Sequence, residues 1–312
     1  MRLDPYRIEG PALISFSGGR TSGYMLWHIL QAHGGKLPCN VYVCFANTGK
    51  EREETLRFVH ECETRWGVPV HWLEWRERPK GKAGRNTPVS QRFAEVGHNN
   101  ASRNGEPFAA LIARKQYTPN SVTRFCTAEL KIEVMKWFMQ SRGYKHWHNV
   151  IGLRGDEMHR VFKSMANNEA GKQVWKNLMP MATKEGGMIS KADVTAFWNA
   201  QPFDLQLKPY EGNCDLCFLK AKGKLKSIIR DDPAKAAWWD RMETVGKGRF
   251  VTEYSYADLV REVAKSPLLN LEDGDDDEFD AECGLWCAGD ETAPDEIAKQ
   301  AEALAAMARK AA

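Results

Sequence analysis

At 312 residues and 43% hydrophobic content, the chain is long enough to build one large core plus a smaller appended region. A net charge of +3 is too small to argue for general nucleic-acid binding. No stretch reaches the roughly 18 apolar residues of a membrane span, and Met1 to Arg7 carry no apolar signal core. The expected compartment is the cytoplasm, where the eight cysteines are expected to be thiols, catalytic groups or metal ligands rather than disulfides.

The elements alternate. A strand over 12–16 precedes a helix over 22–33, a strand over 40–46, a helix over 51–66 and a strand over 69–74. Short connections between them predict an α/β fold, a doubly wound parallel sheet with its ligand beyond the carboxyl ends of the strands. Residues 76–107 are rich in Gly, Asn, Arg and Pro and read as a long loop over that edge. A helix is expected near 127–142, a strand at 147–152, a helix over 190–199 capped by Ser190, and helices at 233–244 and 255–265. The acidic run Glu272 to Glu282 follows, then an Ala-rich helix over 293–311; no internal repeat is present. Two units are expected: residues 1–265 as the α/β domain, and 266–312 as linker, cysteine-containing tail and terminal helix. The basic runs Arg76 to Arg85 and Lys208 to Lys226 read either as solvated loops or as a rim for an anion, against which the acidic run could rest.

Between the first strand and helix lies Ser17-Gly18-Gly19-Arg20-Thr21-Ser22. Two glycines let the backbone approach a phosphate, the hydroxyls add donors, and the helix N-terminus favours an anion. An ordinary strand-to-helix connection is the plainer reading. The loop has neither the Gly-Lys-Ser/Thr of a Walker A motif nor the Gly-x-Gly-x-x-Gly fingerprint. After the second strand, Phe45 is followed by Asn47-Thr48-Gly49, which reads as a pocket lining or as a simple helix-entry turn. After the strand at 147–152 come Gly152, Arg154, Glu157 and Arg160; an arginine fork there suits two phosphate oxygens. Cys126, the pair Cys214 and Cys217, and the pair Cys283 and Cys287 sit in settings that suit a metal, zinc or iron–sulfur. Cys39, Cys44 and Cys62 read as packing or surface thiols.

These segments resemble, in order from residue 13 to 287, the phosphoadenosine phosphosulfate (PAPS) reductase family of the PP-loop adenine nucleotide alpha-hydrolase superfamily. The Ser17–Ser22 loop is similar to the Ser-Gly-Gly-x-x-Ser PP-loop, Phe45 with Asn47 to Gly49 to the adenosine segment, and Gly152 to Glu157 to the Gly-x-Arg-x-x-Glu phosphate segment. Glu282-Cys283-Gly284-Leu285 is similar to the terminal motif carrying the catalytic cysteine. The resemblance implies an adenine nucleotide (PAPS, APS or ATP) beside a [4Fe-4S] cluster held by Cys126, Cys214, Cys217 and a fourth ligand, which is Cys287, Cys283 or a non-protein group. It further implies a Cys283 thiolate that attacks the sulfonucleotide sulfur, and a thioredoxin-like reductant that releases sulfite. The chain departs from the family at Phe125, where a cysteine is expected, at Trp286 in place of histidine, and at the extra Cys287. Zinc is the alternative metal. The alternative functions are an ATP pyrophosphatase-type transferase that adenylates a substrate, nucleic acid included, for sulfur insertion, and a non-catalytic nucleotide or metal-binding module.

Overall fold

The computed structural model describes residues 4–265. Six strands form one sheet in the order β4-β3-β2-β1-β5-β6: β1 is Ala12–Ser15, β2 Val41–Ala46, β3 Val70–Trp75, β4 Phe93–Val96, β5 Trp147–Val150 and β6 Trp175–Leu178. All pairings are parallel except that of β4 on β3. The expected α/β doubly wound sheet is therefore the observed fold.

Period-two alternation explains why both faces are covered. Ala12, Ile14, Val43, Phe45, Val70 and Trp72 pack on one face with the buried sides of helices α1 (Arg20–Ala32) and α2 (Glu53–Trp66). Leu13, Cys44, Ala46 and Leu73 face the opposite way, into a second core with Val134, Phe138, Leu225, Trp239 and Leu259. Those residues come from the helices over Glu133–Ser141, Lys222–Asp231, Ala236–Val245 and Tyr256–Lys265. Helix α2 stops at Gly67, whose φ of 62° is the left-handed conformation that ends helices.

The helix over Lys191–Asn199 starts as its sequence predicts. Ser190 Oγ accepts from the Asp193 N–H and Asp193 accepts from the Ser190 N–H, a complete capping box. This helix locks α1 in place: Trp198 donates its indole N–H to the Arg20 carbonyl at 2.8 Å, and its ring fills the space above Gly23. Ser190→Ala should lower thermal stability by about 1 kcal/mol, read as a fall in Tm, and the Arg20 to Trp198 contact makes the same variant loosen the start of α1.

Several elements carry no clear signal in the sequence. Strand β4 lies inside the expected long loop, and β6 and the helices Glu106–Lys115, Met158–Ala170 and Lys222–Asp231 are further additions. Strands β4 and β6 are four-residue edge strands, too short to show alternation. Met158–Ala170 buries only Val161 and Ser164, so it lacks an apolar stripe. The helix expected over 127–142 is interrupted: a turn at Phe125–Thr127 leads into a π-helical stretch, Ala128–Ile132, before the regular helix begins at Glu133. No helix among the described residues is long and apolar enough to cross a membrane.

Candidate functional site

The chain runs from β1 outward to β2, β3 and β4, then returns to the other side of β1 as β5. The strand order reverses between β1 and β5, and in such sheets the crevice at the reversal is where ligands bind. The Ser17–Ser22 loop leaves β1 at this point, and residues 151–157 leave β5 beside it. Gly152 makes the approach close, since a side chain there would lie 3.3 Å from Ser22 Cα.

Gly18 has a φ of 77° and a Cβ at that position would lie 2.7 Å from the Thr55 methyl, so the turn requires glycine for both conformation and space. Gly19 is the N-cap of α1 and offers no side-chain acceptor to the first-turn N–H groups, which leaves the helix end suited to an anion. Ser17 and Ser22 join their hydroxyls at 2.9 Å, and the Ser17 N–H donates to Ser22 Oγ at 3.2 Å. The loop is thus held in its turn by its own hydroxyls. Gly18→Ala should cost about 2 kcal/mol, measured by urea unfolding.

A cavity of about 490 Å³ and another of about 320 Å³ flank this edge. The smaller one sits at the switch point and is lined by Arg20, Thr21, Arg154, Lys191, Lys208 and Asn213, among others, with Val194, Leu205 and Leu207 supplying an apolar wall. Four cations and one carboxylate, Glu211, line it; Arg20 is paired with Asp204, Arg154 with Asp156 and Lys208 with Asp231, so these three are held in place from outside the cavity. Arg154 is 5% exposed. Its Nη1 reaches Thr21 Oγ1 at 3.4 Å and its Nε donates to Asp156 at 2.9 Å. Asp156 also accepts the Lys191 N–H at 2.8 Å, so one carboxylate fixes the arginine and the start of the Lys191–Asn199 helix together. Arg20 makes a forked contact with Asp204.

Other expected residues lie elsewhere. Arg160 pairs with Glu157, which in turn accepts the Arg154 N–H at 3.0 Å; Arg160 braces the loop rather than lining the cavity. Phe45 is 1% exposed and packs edge-on to Trp72. Asn47 donates to Glu74 at 2.6 Å and to the Ser102 carbonyl at 2.9 Å. Thr48 gives its N–H and hydroxyl to Glu51, while Gly49, with a φ of 79°, abuts Gly105. In this structure the Phe45–Gly49 segment is a buried, internally bonded corner, and the switch-point cavity is lined by residues 205–213 in its place.

Residues 211–217 close the crevice. The Asn213 amide donates to the Ser17 carbonyl at 2.9 Å, the Arg52 N–H to the Asn213 carbonyl at 2.8 Å, and the Asp215 N–H to the Lys50 carbonyl at 2.9 Å. Lys50 pairs with Asp215 at 2.8 Å, Arg52 with Glu211 at 2.6 Å, and Lys131, from the π-helical stretch, with Glu51 at 3.4 Å. None of these charges was singled out from the sequence. The Lys-Glu-Arg run after a glycine gave no sign that it would be buried.

Cys214 and Cys217 come together in this segment. The Cys214 thiol donates to the Cys217 sulfur, which holds Cys217 below the usual thiol range against the effect of burial, with the Lys220 and Arg124 charges helping. The same bond, followed by burial, pushes Cys214 well up. Cys126, two residues after Arg124, packs against the same core as Cys214. Yet among the described residues no three His, Cys, Asp or Glu side chains form a group able to hold a metal. Cys126, Cys214 and Cys217 do not form such a group among the described residues. Cys283 and Cys287, with the acidic run and the terminal helix, lie outside the described residues. Cys44 and Cys62 are buried packing thiols and Cys39 is exposed, as expected.

Fold and crevice together define a doubly wound α/β protein with an uncapped helix N-terminus and a ring of cations at its switch point. The chain belongs to the family of the uncharacterized nin region protein ORF290 of Escherichia phage lambda, with which it is 30% identical over 228 residues, 70% of each chain. No protein-family profile matches it. Among solved structures it is similar to the U34-tRNA thiolase NcsA from Methanococcus maripaludis with its [4Fe-4S] cluster, at 12% identity and a TM-score of 0.34, over 84% of this chain and 73% of that one.

Proposed function

We propose that this protein binds ATP at the switch point and acts as a PP-loop adenylating enzyme. An acceptor attacks the α-phosphorus, the α–β bridging oxygen leaves with pyrophosphate, and the adenylate passes to the acceptor. The observation that carries this reading is the four-cation cavity of about 320 Å³ formed by Arg20, Arg154, Lys191 and Lys208 against the start of α1. Its volume falls in the range of small-molecule sites, about 300–1,000 Å³, and its charge suits a polyphosphate. Arg154 and the first-turn N–H groups would hold charge as it builds on the departing pyrophosphate, and the apolar wall of Val194, Leu205 and Leu207 would take the adenine.

This reading calls on described residues alone. Sulfonucleotide reduction, by contrast, needs the Cys283 thiolate, and it rests on the Glu282-Cys283-Gly284-Leu285 resemblance. One set of assays separates the two. Full-length protein is titrated with ATP and with PAPS, and pyrophosphate and sulfite are followed, with iron and zinc counted in the anaerobic preparation. ATP binding with pyrophosphate release that survives Cys283→Ser supports adenylation. Preferential PAPS binding with Cys283-dependent sulfite release overturns it.

A further inference from the structure

The larger cavity, of about 490 Å³, lies on the other side of the 211–215 segment and is not part of the nucleotide crevice. The segment is a shared wall: Glu211 and Asn213 line the first cavity and Asp215 the second. The second cavity collects groups from four places in the chain, namely Lys50 and Arg52 before α2, Arg103 from the loop before Glu106, Asp215 from the shared wall, and Lys235, Trp238 and Arg241 from the 233–245 segment.

Its lining is mixed in sign, so the partners decide its character. Every carboxylate there is already engaged. Glu51 accepts from Thr48 and faces Lys131, Glu53 is bonded to Arg103 at 2.9 Å, Glu54 to Arg52 at 3.2 Å, and Asp215 to Lys50 and to the Trp239 indole at 2.8 Å. Lys50 and Arg103 are held by these carboxylates, and Arg52 by both Glu54 and Glu211, the latter at 2.6 Å, but the cations keep some capacity to spare. Arg52 is 8% exposed, yet its Nη1 is buried without a hydrogen-bond partner among the described residues. Leaving a charged donor unpaired in the interior is costly, and such atoms are rare in folded proteins. Arg241 is exposed with no carboxylate partner among the described residues, and Lys235 has only Asp232 at 3.7 Å. Trp238 adds a flat apolar surface seated on Gly105, where a Cβ would lie 2.6 Å from the indole.

We propose that this cavity binds a phosphate group of a second substrate, the acceptor of the adenylate, with Arg52 and Arg241 selecting for it. The acceptor role rests on the adenylation reading above. The phosphate site itself does not, because it is built from different side chains. An arginine with an unspent N–H on one side, with a second arginine at the rim and Lys235 from the 233–245 segment on the other, makes a two-sided setting for an oxyanion.

The test uses the full-length protein and inorganic phosphate as probe, followed by phosphorus-31 line broadening, with and without a saturating non-hydrolysable ATP analogue. Phosphate should bind in the presence of the analogue. Arg241→Gln and Arg52→Lys should each weaken it by about tenfold, the loss of one charge-assisted bond, while Arg154→Gln should weaken the nucleotide and leave phosphate unchanged. Arg241 is exposed, so its variant decides the matter if Arg52→Lys fails to fold. Phosphate that the analogue displaces, that ignores Arg241→Gln, or that fails to bind overturns the proposal. Loss of nucleotide binding alone, with a phosphate site sensitive to Arg241, overturns the adenylation reading instead.

Discussion

Glu51→Ala should destabilise the protein by about 3–5 kcal/mol, the cost of breaking a buried ion pair by removing one partner. The Glu51 side chain is 1% exposed and faces Lys131, itself 12% exposed, at 3.4 Å. It also takes the Thr48 N–H at 2.8 Å and the Thr48 hydroxyl. Alanine deletes all of these acceptors at once and leaves the lysine facing a void. Glu51→Gln keeps the size and an acceptor for Thr48, so its loss should be clearly smaller. Urea unfolding of both variants checks this, and a cost below about 1 kcal/mol for alanine would show that the corner is wetter than its burial indicates.

Arg154→Gln is the second large effect, on binding rather than folding. Under the adenylation reading it should raise the ATP Kd by about 10- to 150-fold, equivalent to about 1.5–3 kcal/mol for a charge-assisted hydrogen bond. Arg154 is already held by Asp156 at 2.9 Å, so it meets a ligand without first losing much side-chain freedom. Asp156→Asn should therefore weaken ATP less than Arg154→Gln while leaving the melting temperature close to that of the parent. Calorimetric titration of the three proteins reads both quantities, and an unchanged Kd for Arg154→Gln would remove this residue from the site.

The sheet was legible because its strands are apolar and its turns carry glycine. Ile14, Val43 and Phe45 alternate with Leu13, Cys44 and Ala46 in the sequence as they do across the two faces, and Ser190 announced a cap that forms as written. The loop at 17–22 and Arg154 were legible for the same reason: small residues and a fork at strand ends. Most of the lining from the 191–213 region was not, although Lys208 belongs to the basic run that the sequence offered as a rim for an anion. Lys191 reaches the loop because the Lys191–Asn199 helix packs on α1 through Trp198, and Asn213 because its amide donates to the Ser17 carbonyl. The Phe45–Gly49 segment shows the opposite case. Its side chains could serve a ligand, but Glu74 and the Ser102 carbonyl satisfy Asn47 first, a long-range pairing that no local pattern announces.

The π-helical stretch Ala128–Ile132 has a consequence for the chain as a ruler. An α-helix advances about 100° per residue, and a π turn holds one residue more than an α turn, so the stretch offsets everything after it by one position. Lys131 meets Glu51 while Val134, Met135 and Phe138 still reach the core, a combination that an unbroken helix from residue 125 would have to phase differently. Removing one residue from 128–132 would close the wide turn to an ordinary α turn and leave Val134, Met135 and Phe138 on the core face, whereas adding one would swing the buried face of Glu133–Ser141 by about a quarter turn. At this point the molecule tolerates a change in the number of its residues in one direction only.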